Sequence, residues 1–261
     1  MPPPANDNET KKLREVTFPL YNSASGVPAL EEVKQSPSLA NCPVASILAA
    51  HAFTAVGRTY LQGLIATTTG PVLTDISAVK GELTDPPDGD TIPSNRFFTV
   101  TLPNGTREVS DVFYTDDGDS VFFLRYLNDP SDGSLWGAVI EKALAVELGS
   151  YENFDASNLS ANEFWERITG VVPNVLPITA ATTSAEIIAA AQASVNVPTI
   201  AASKDDLPVT GNIVTGDHGY AMIGVQGGKI HLYDPAKTEK ILLTPTQFRD
   251  NFEAILFANP P

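Results

Sequence analysis

The single cysteine, Cys42, stands at the head of a long apolar run, CPVASILAAHAFTAV, with Pro43 directly behind it. Proline fits a helix only in the first turn, where its missing N–H costs nothing, so a helix is expected to begin at Cys42. Such an N-terminus presents unpaired backbone N–H groups and the positive end of the helix dipole. Both favour a thiolate, the form of cysteine that attacks carbonyl carbon. The plainer alternative is a small buried hydrophobe, but a cysteine of that kind more often lies mid-helix among Leu and Ile.

A nucleophile needs a base, and the chain has three histidines. His51 lies on the same helix as Cys42, about 180° round and roughly 13 Å along, so it faces away from the thiol. His231 sits between Ile230 and Leu232 inside a strand. His218 follows the polar turn VTGD and opens a strand, where a side chain can project into a cleft. A catalytic imidazole also needs an acceptor that fixes its tautomer. Asp234 ends the returning strand of the same hairpin, and Asp217 adjoins His218 as the alternative. A plain two-residue turn at Gly227-Gly228 would set Asp234 opposite Ala221 and leave His218 facing the other way. A bulge, or a His218 just ahead of the regular ladder, is therefore required. For an oxyanion, the Cys42 N–H is one candidate donor and the amide of Gln35, in VKQSPSLANC, is a second. Taken alone, Gln35 reads equally as a surface residue.

The elements that must carry these groups follow from local pattern. Residues Leu39 to about Gly57 form the first helix candidate, capped by Ser38 or Asn41 and apolar nearly all round, hence interior. RFFTVTLPNGTREVSDVFY reads as a hairpin with Asn104-Gly105 in a type I′ turn. SLWGAVIEKALAVELG has helical spacing with Trp136, Ile140, Leu144 and Leu148 on one stripe. In NLSANEFWERITG, Ser160 and Glu163 make a capping box. TSAEIIAAAQASV is a further helix, HGYAMIGVQGGKIHLYDP a pair of strands, and TPTQFRDNFEAILF a capped helix leading to a final strand. The acidic loop at Asp116, Asp117 and Asp119 does not match EF-hand spacing, so turn chemistry is the first reading and calcium binding the alternative; no other cofactor or metal is expected. The fold class is α+β. Residues 1–15, Pro-rich and polar, read as a disordered lead-in without the apolar core of a targeting segment.

Composition narrows the function. Sixteen basic against thirty-one acidic residues give a formal charge of −15 over 261 residues. That charge repels phosphate backbones and anionic lipid heads, so neither nucleic acid nor membrane is an expected partner. No apolar run approaches a membrane span. One cysteine excludes an internal disulfide and a Cys-rich zinc site, and fits a reducing, cytoplasmic setting. An effector exported without a cleavable signal would look the same. Oligomeric state has no signature here.

Three blocks resemble the calpain protease core. QSPSLANCPVASILAA is similar to the calpain active-site helix, in which a Gln precedes a Gly-Asp-Cys-Trp step. SLWGAVIEKALAVELGSYENF resembles the calpain segment F-W-x-x-L-x-E-K-A-x-A-K-x-x-G-S-Y, keeping Trp136, Glu141, Lys142, Ala143, Gly149, Ser150 and Tyr151 in order. HGYAMIGVQGGKIHLYDP resembles the His-Ala-Tyr stretch that returns to Arg-Asn-Pro-Trp-Gly. The blocks keep the family's order from Lys34 to Pro235, most of the chain. Departures are Pro43 in place of Trp, a Gln-to-Cys interval one residue longer, Asp234 in place of Asn, and Ala236-Lys237 in place of Trp-Gly. A charged Asp234 should raise the pKa of His218 above what an amide partner allows.

The resemblance implies a papain-like two-lobe fold, with a helical lobe over 16–167 carrying Cys42 and a β-rich lobe over 168–261 carrying His218 and Asp234. The two would form one catalytic domain. It implies a cysteine endopeptidase acting on protein or peptide through Cys42, His218 and Asp234, with Gln35 at the oxyanion. Two other readings share these residues. One is an acyl-transfer effector such as a deamidase or transglutaminase. The other is a decayed peptidase that binds peptides without cutting them.

Overall fold

The computed structural model describes residues 12–15, 18–21, 26–35, 41–69, 96–115, 133–205, 207 and 213–258. The expected acidic loop at Asp116–Asp119 and the cap candidate Ser38 lie outside them. The helices are α1 (Cys42–Phe53), α2 (Ala55–Leu64), α3 (Trp136–Leu148), α4 (Tyr151–Asp155), α5 (Ala161–Thr169), α6 (Ser184–Ala193) and α7 (Pro245–Asn251). The strands are β1 (Lys12–Glu15), β2 (Ile65–Thr69), β3 (Arg96–Leu102), β4 (Gly105–Ser110), β5 (Val112–Thr115), β6 (Asn174–Pro177), β7 (Thr199–Ser203), β8 (Gly219–Gln226), β9 (Lys229–Asp234), β10 (Glu239–Leu243) and β11 (Phe252–Phe257). The protein is α+β, and its ladders are antiparallel.

Three local expectations are revised. Lys12–Glu15, expected within a disordered lead-in, pair as β1 with β5, whose backbone groups would otherwise go unmatched. The first apolar run is two helices rather than one. Thr54 takes an extended conformation, φ −91° and ψ 149°, and its side chain accepts from the Gly57 N–H to cap α2. The sharp turn drives Gly57 onto α1, where a Cβ would sit 2.3 Å from the His51 carbonyl oxygen; only glycine fits. In the β3–β4 hairpin, Leu102 pairs with Gly105, so the turn is Pro103-Asn104 rather than Asn104-Gly105. Proline cannot adopt the positive φ of a type I′ turn, and the positive value, 120°, moves to Gly105 at the strand start.

The largest sheet runs β10-β9-β8-β7-β11-β6. Both of its faces are covered, and the alternation of side chains shows by what. Ala221 and Ile223 of β8, Ile200 of β7 and Leu256 of β11 join the cluster containing α1, α3 and α5. Their neighbours Tyr220, Met222, Ala201 and Ile255 join a second cluster with Ile187 of α6 and Phe248 of α7. The sheet is thus a middle layer with α1 on one side and α6 and α7 on the other. Its edges are short: β6 ends on Pro177, and β10 opens with Glu239 and Lys240.

The helix expected to bury one stripe, α3, is buried on every side from Trp136 to Ala145, Glu141 and Lys142 included. It ends at Gly149, whose φ of 97° suits a residue without Cβ. Trp136 Nε1 donates to Glu32 Oε2. Lys142 Nζ donates to the Ser110 carbonyl at 3.1 Å, the Ser110 hydroxyl at 3.0 Å and the Val112 carbonyl at 2.8 Å, and lies 5.0 Å from the Phe113 ring centroid. A buried ammonium survives only with such partners, and it ties α3 to the β4–β5 corner. Lys142→Met, close in volume but unable to donate, is expected to lower the unfolding free energy by about 2–4 kcal/mol. Urea denaturation would register this as a lower midpoint with an unchanged slope.

Candidate active site

Cys42 is the first residue of α1, as Pro43 requires, and is partly exposed. Asn41 holds the cap position, but its side chain does not close back on the helix. Its Nδ2 donates instead to Glu141 Oε1 of α3 at 2.6 Å, wholly inside the protein. The end of the helix is therefore fixed in place by α3, and the Asn41 side chain leaves the first-turn N–H groups to other acceptors.

The opposing elements are β8 and β9, joined at Gly227-Gly228 as expected. From that turn the ladder runs regularly to Gly224↔His231, then slips, so that Met222 pairs with Leu232 and Ala221 with Tyr233. The extra residue is Ile223, and Gly224 takes φ 119° beside it. This is the bulge that the spacing demanded. It moves Asp234 one position along, opposite Tyr220, and onto the same side as His218. His218 Nε2 lies 2.9 Å from Asp234 Oδ1, with both side chains buried.

Ser203, at the end of β7, holds the His218 backbone from both sides. Its Oγ accepts from the His218 N–H at 3.0 Å, and its own N–H donates to the His218 carbonyl at 3.0 Å. The preceding residue, Asp217, is exposed in a left-handed conformation, φ 49°. The acceptor on the ring is Asp234 and not Asp217. Asp234 Oδ1 also accepts from the Ala236 N–H at 2.9 Å, and Lys237 Nζ lies 3.7 Å from Oδ2. A backbone turn and an ammonium group thus cover the carboxylate.

Cys42 and His218 meet because β8 opens with glycine. A Cβ at Gly219 would fall 2.5 Å from Ser46 Oγ and 3.2 Å from the Cys42 carbonyl oxygen. The strand therefore packs backbone-first against the first turn of α1, and this brings the His218 ring within electrostatic reach of the Cys42 sulfur. With Nε2 committed to Asp234, Nδ1 is the ring nitrogen that remains. Burial opposes protonation of this ring, but its hydrogen bonds and charge attraction to Asp234 and Cys42 outweigh burial and push the pKa up to about 9. Asp234 is moved down from its ordinary 3.8: burial acts against ionisation, and the bond and charge of His218 prevail. The Tyr220 ring stands edge-on to the imidazole at 4.8 Å.

The remaining candidates fall elsewhere. His51 is buried at the far end of α1 with Nδ1 2.8 Å from the Ile47 carbonyl oxygen. His231 is partly exposed in β9. The Gln35 backbone N–H donates to the Pro235 carbonyl at 2.9 Å, which brings this residue beside the end of β9 that carries Asp234. Ser203, Gly219 and the Asn41–Glu141 bond were not anticipated. Of these, Gly219 left a signal, since a glycine opening an apolar strand marks close backbone approach. Among the described residues no group of His, Cys, Asp and Glu is arranged to hold a metal ion, and no helix is long and apolar enough to cross a membrane.

Two measurements follow from this geometry. The folded pKa of His218 exceeds its free value of about 6.5, so its contribution to stability is complete below that pH and is lost as pH rises through about 9. Asp234 runs the other way, contributing above its free value and losing that contribution on acidification. In Asp234→Asn the NMR titration of His218 should fall well below about 9, and the drop in melting temperature between pH 6.5 and 9 should shrink. Gly219→Ala should lower the His218 pKa too, by forcing β8 off α1, and adding Ser46→Gly to it should restore most of the titration. An unchanged titration in Gly219→Ala would show that the close approach is not needed for the contact.

No protein-family model matches this chain, and no curated protein matches its sequence.

Proposed function

We propose that this chain is a cysteine endopeptidase with a papain-like two-lobe arrangement, most similar to the calpain protease core. Cys42 is its nucleophile, His218 its acid and base, and Asp234 the group that orients the imidazole. One observation carries the reading. His218 bonds a buried carboxylate at 2.9 Å, and the residue after it, Gly219, packs against the first turn of the helix that Cys42 opens. A helix N-terminal cysteine, a histidine beside it and a buried carboxylate on that histidine are the nucleophile, base and orienter that acyl transfer requires.

In this reading the Cys42 thiolate adds to a peptide carbonyl, and the carbonyl π electrons move to oxygen. The Cys42 N–H and the Gln35 amide donate to that oxyanion. The bond of the Gln35 backbone to Pro235 supports this role, because it holds the Gln35 loop next to the His218–Asp234 hairpin. As the tetrahedral species collapses, the imidazolium gives its proton to the departing amine, leaving a thioester on sulfur. His218, now neutral, takes a proton from water, hydroxide adds to the thioester, and the acid leaves with the thiolate restored. No metal or organic cofactor is called for. Protein and peptide are the expected substrates.

The test is alkylation of Cys42 by iodoacetamide from pH 4 to 9, read by mass spectrometry, beside cleavage of a peptide library. Rapid labelling at acidic pH that disappears in His218→Ala is expected, together with cleavage that Cys42→Ala abolishes. Cleavage should also decline as pH rises past about 9, where the imidazolium that protonates the leaving amine is lost. Labelling no faster than that of an ordinary thiol, and indifferent to His218, would overturn the reading. Ammonia release or cross-linking without chain cleavage would redirect it to deamidation or transglutamination.

A further inference from the structure

At the end of α1 opposite Cys42 lies a pocket of about 250 Å³. His51, Tyr60 of α2 and Trp165 of α5 form its inner wall, with the imidazole centroid 5.2 Å from the Trp165 ring and 6.1 Å from the Tyr60 ring. Three valines stand at its mouth, one from α2 and two from the segment that follows α5. Val56, Val171 and Val172 are 50%, 48% and 57% exposed. Valines scattered singly over a surface need no explanation, but three gathered at the opening of an apolar concavity mark a place built to take a ligand.

The polar groups of this pocket define what could enter. The Tyr60 hydroxyl donates to the Ile168 carbonyl at 2.7 Å, and the Thr169 hydroxyl donates to the Trp165 carbonyl at 2.8 Å. His51 Nδ1 lies 2.8 Å from the Ile47 carbonyl oxygen, and since a carbonyl only accepts, Nδ1 carries the proton. Burial keeps the ring neutral, with its pKa lowered to about 4 despite that bond. Nε2 therefore keeps a bare lone pair, and no described group donates to it. The described lining residues carry no acidic or basic chain apart from this neutral imidazole. A charged ligand would lose its hydration there without recompense.

We infer that this pocket binds a small neutral aromatic molecule with one N–H or O–H donor, the donor directed at His51 Nε2 and the ring set among Trp165, Tyr60 and the valines. An apolar cavity of about 150 Å³ accommodates benzene. A pocket of about 250 Å³ therefore suits a bicyclic ring the size of indole. The site shares a helix with Cys42 but lies roughly 13 Å along it, so the inference stands apart from the chemistry at the other end.

Indole is the probe, and 1-methylindole, the same ring with its donor blocked, is the control. With only three histidines in the chain, imidazole ¹⁵N spectra resolve His51 directly. Indole should move the Nε2 resonance of His51 toward that of a hydrogen-bonded nitrogen and leave His218 and His231 unchanged. Calorimetry should find 1-methylindole at least about tenfold weaker, the usual cost of leaving a buried acceptor unmet. Val172→Trp, a change at an exposed position that spares the core, should fill the mouth and abolish binding of both. Equal affinity for the two ligands, no indole binding at millimolar concentration, or binding unaffected by Val172→Trp would each overturn the inference.

Discussion

The hydrogen bond between His218 and Asp234 depends on one surplus residue. In a regular β8–β9 hairpin the two side chains point to opposite faces, and no adjustment of rotamers could join them. Ile223 supplies the slip, and Gly224, free to take φ 119°, absorbs the distortion it causes. From that slip follow the depressed carboxylate, the raised imidazole and the orientation of its ring. A bulge inside an otherwise regular ladder is a cost to the sheet, and here it is the means by which a buried pair is made at all.

The other half of the arrangement is a matter of anchoring. The start of α1 is gripped from two directions. Glu141 of α3 takes the side chain of Asn41, and β8 presses its bare Gly219 backbone against Ser46 and the Cys42 carbonyl. Ser203 fixes the backbone of His218 from the neighbouring strand. Each partner comes from a different part of the chain, so the sulfur and the imidazole meet within rigid elements rather than on loops. The run from Trp136 to Lys142 belongs to this frame: Trp136, Glu141 and Lys142 each bind a separate segment from within the buried length of α3.

What could be read beforehand divides along the range of the forces involved. Capping boxes such as Ser160 with Glu163 act over three residues, and the helix they start was placed correctly. Pro43 located the start of α1 for the same reason. That a plain hairpin could not join His218 to Asp234 followed from parity alone, although the choice of a bulge, and its position at Ile223, did not. Failures came where a distant or competing constraint decided the outcome. Pro103 took over the turn expected at Asn104-Gly105, because its ring fixes φ. Thr54 broke a helix whose composition favoured continuity, as the Gly57 N–H gave its hydroxyl a partner. The layering of α1 and of α6 with α7 on opposite faces of one sheet leaves no local trace, since strands buried on both sides show no alternation to read.

The six-stranded sheet has a further property that lies in its margins. An open antiparallel sheet offers unpaired amide and carbonyl groups along its outermost strands, and a second molecule can dock there strand to strand. Here one margin is a four-residue strand that ends on proline, which has no N–H to offer. The other begins with adjacent acidic and basic side chains on exposed positions. Added to a formal charge of −15, which keeps like molecules apart, these margins act against open-ended stacking of the sheet at high concentration. A protein with a wide, largely apolar central layer is thereby guarded against the self-association that such a layer invites.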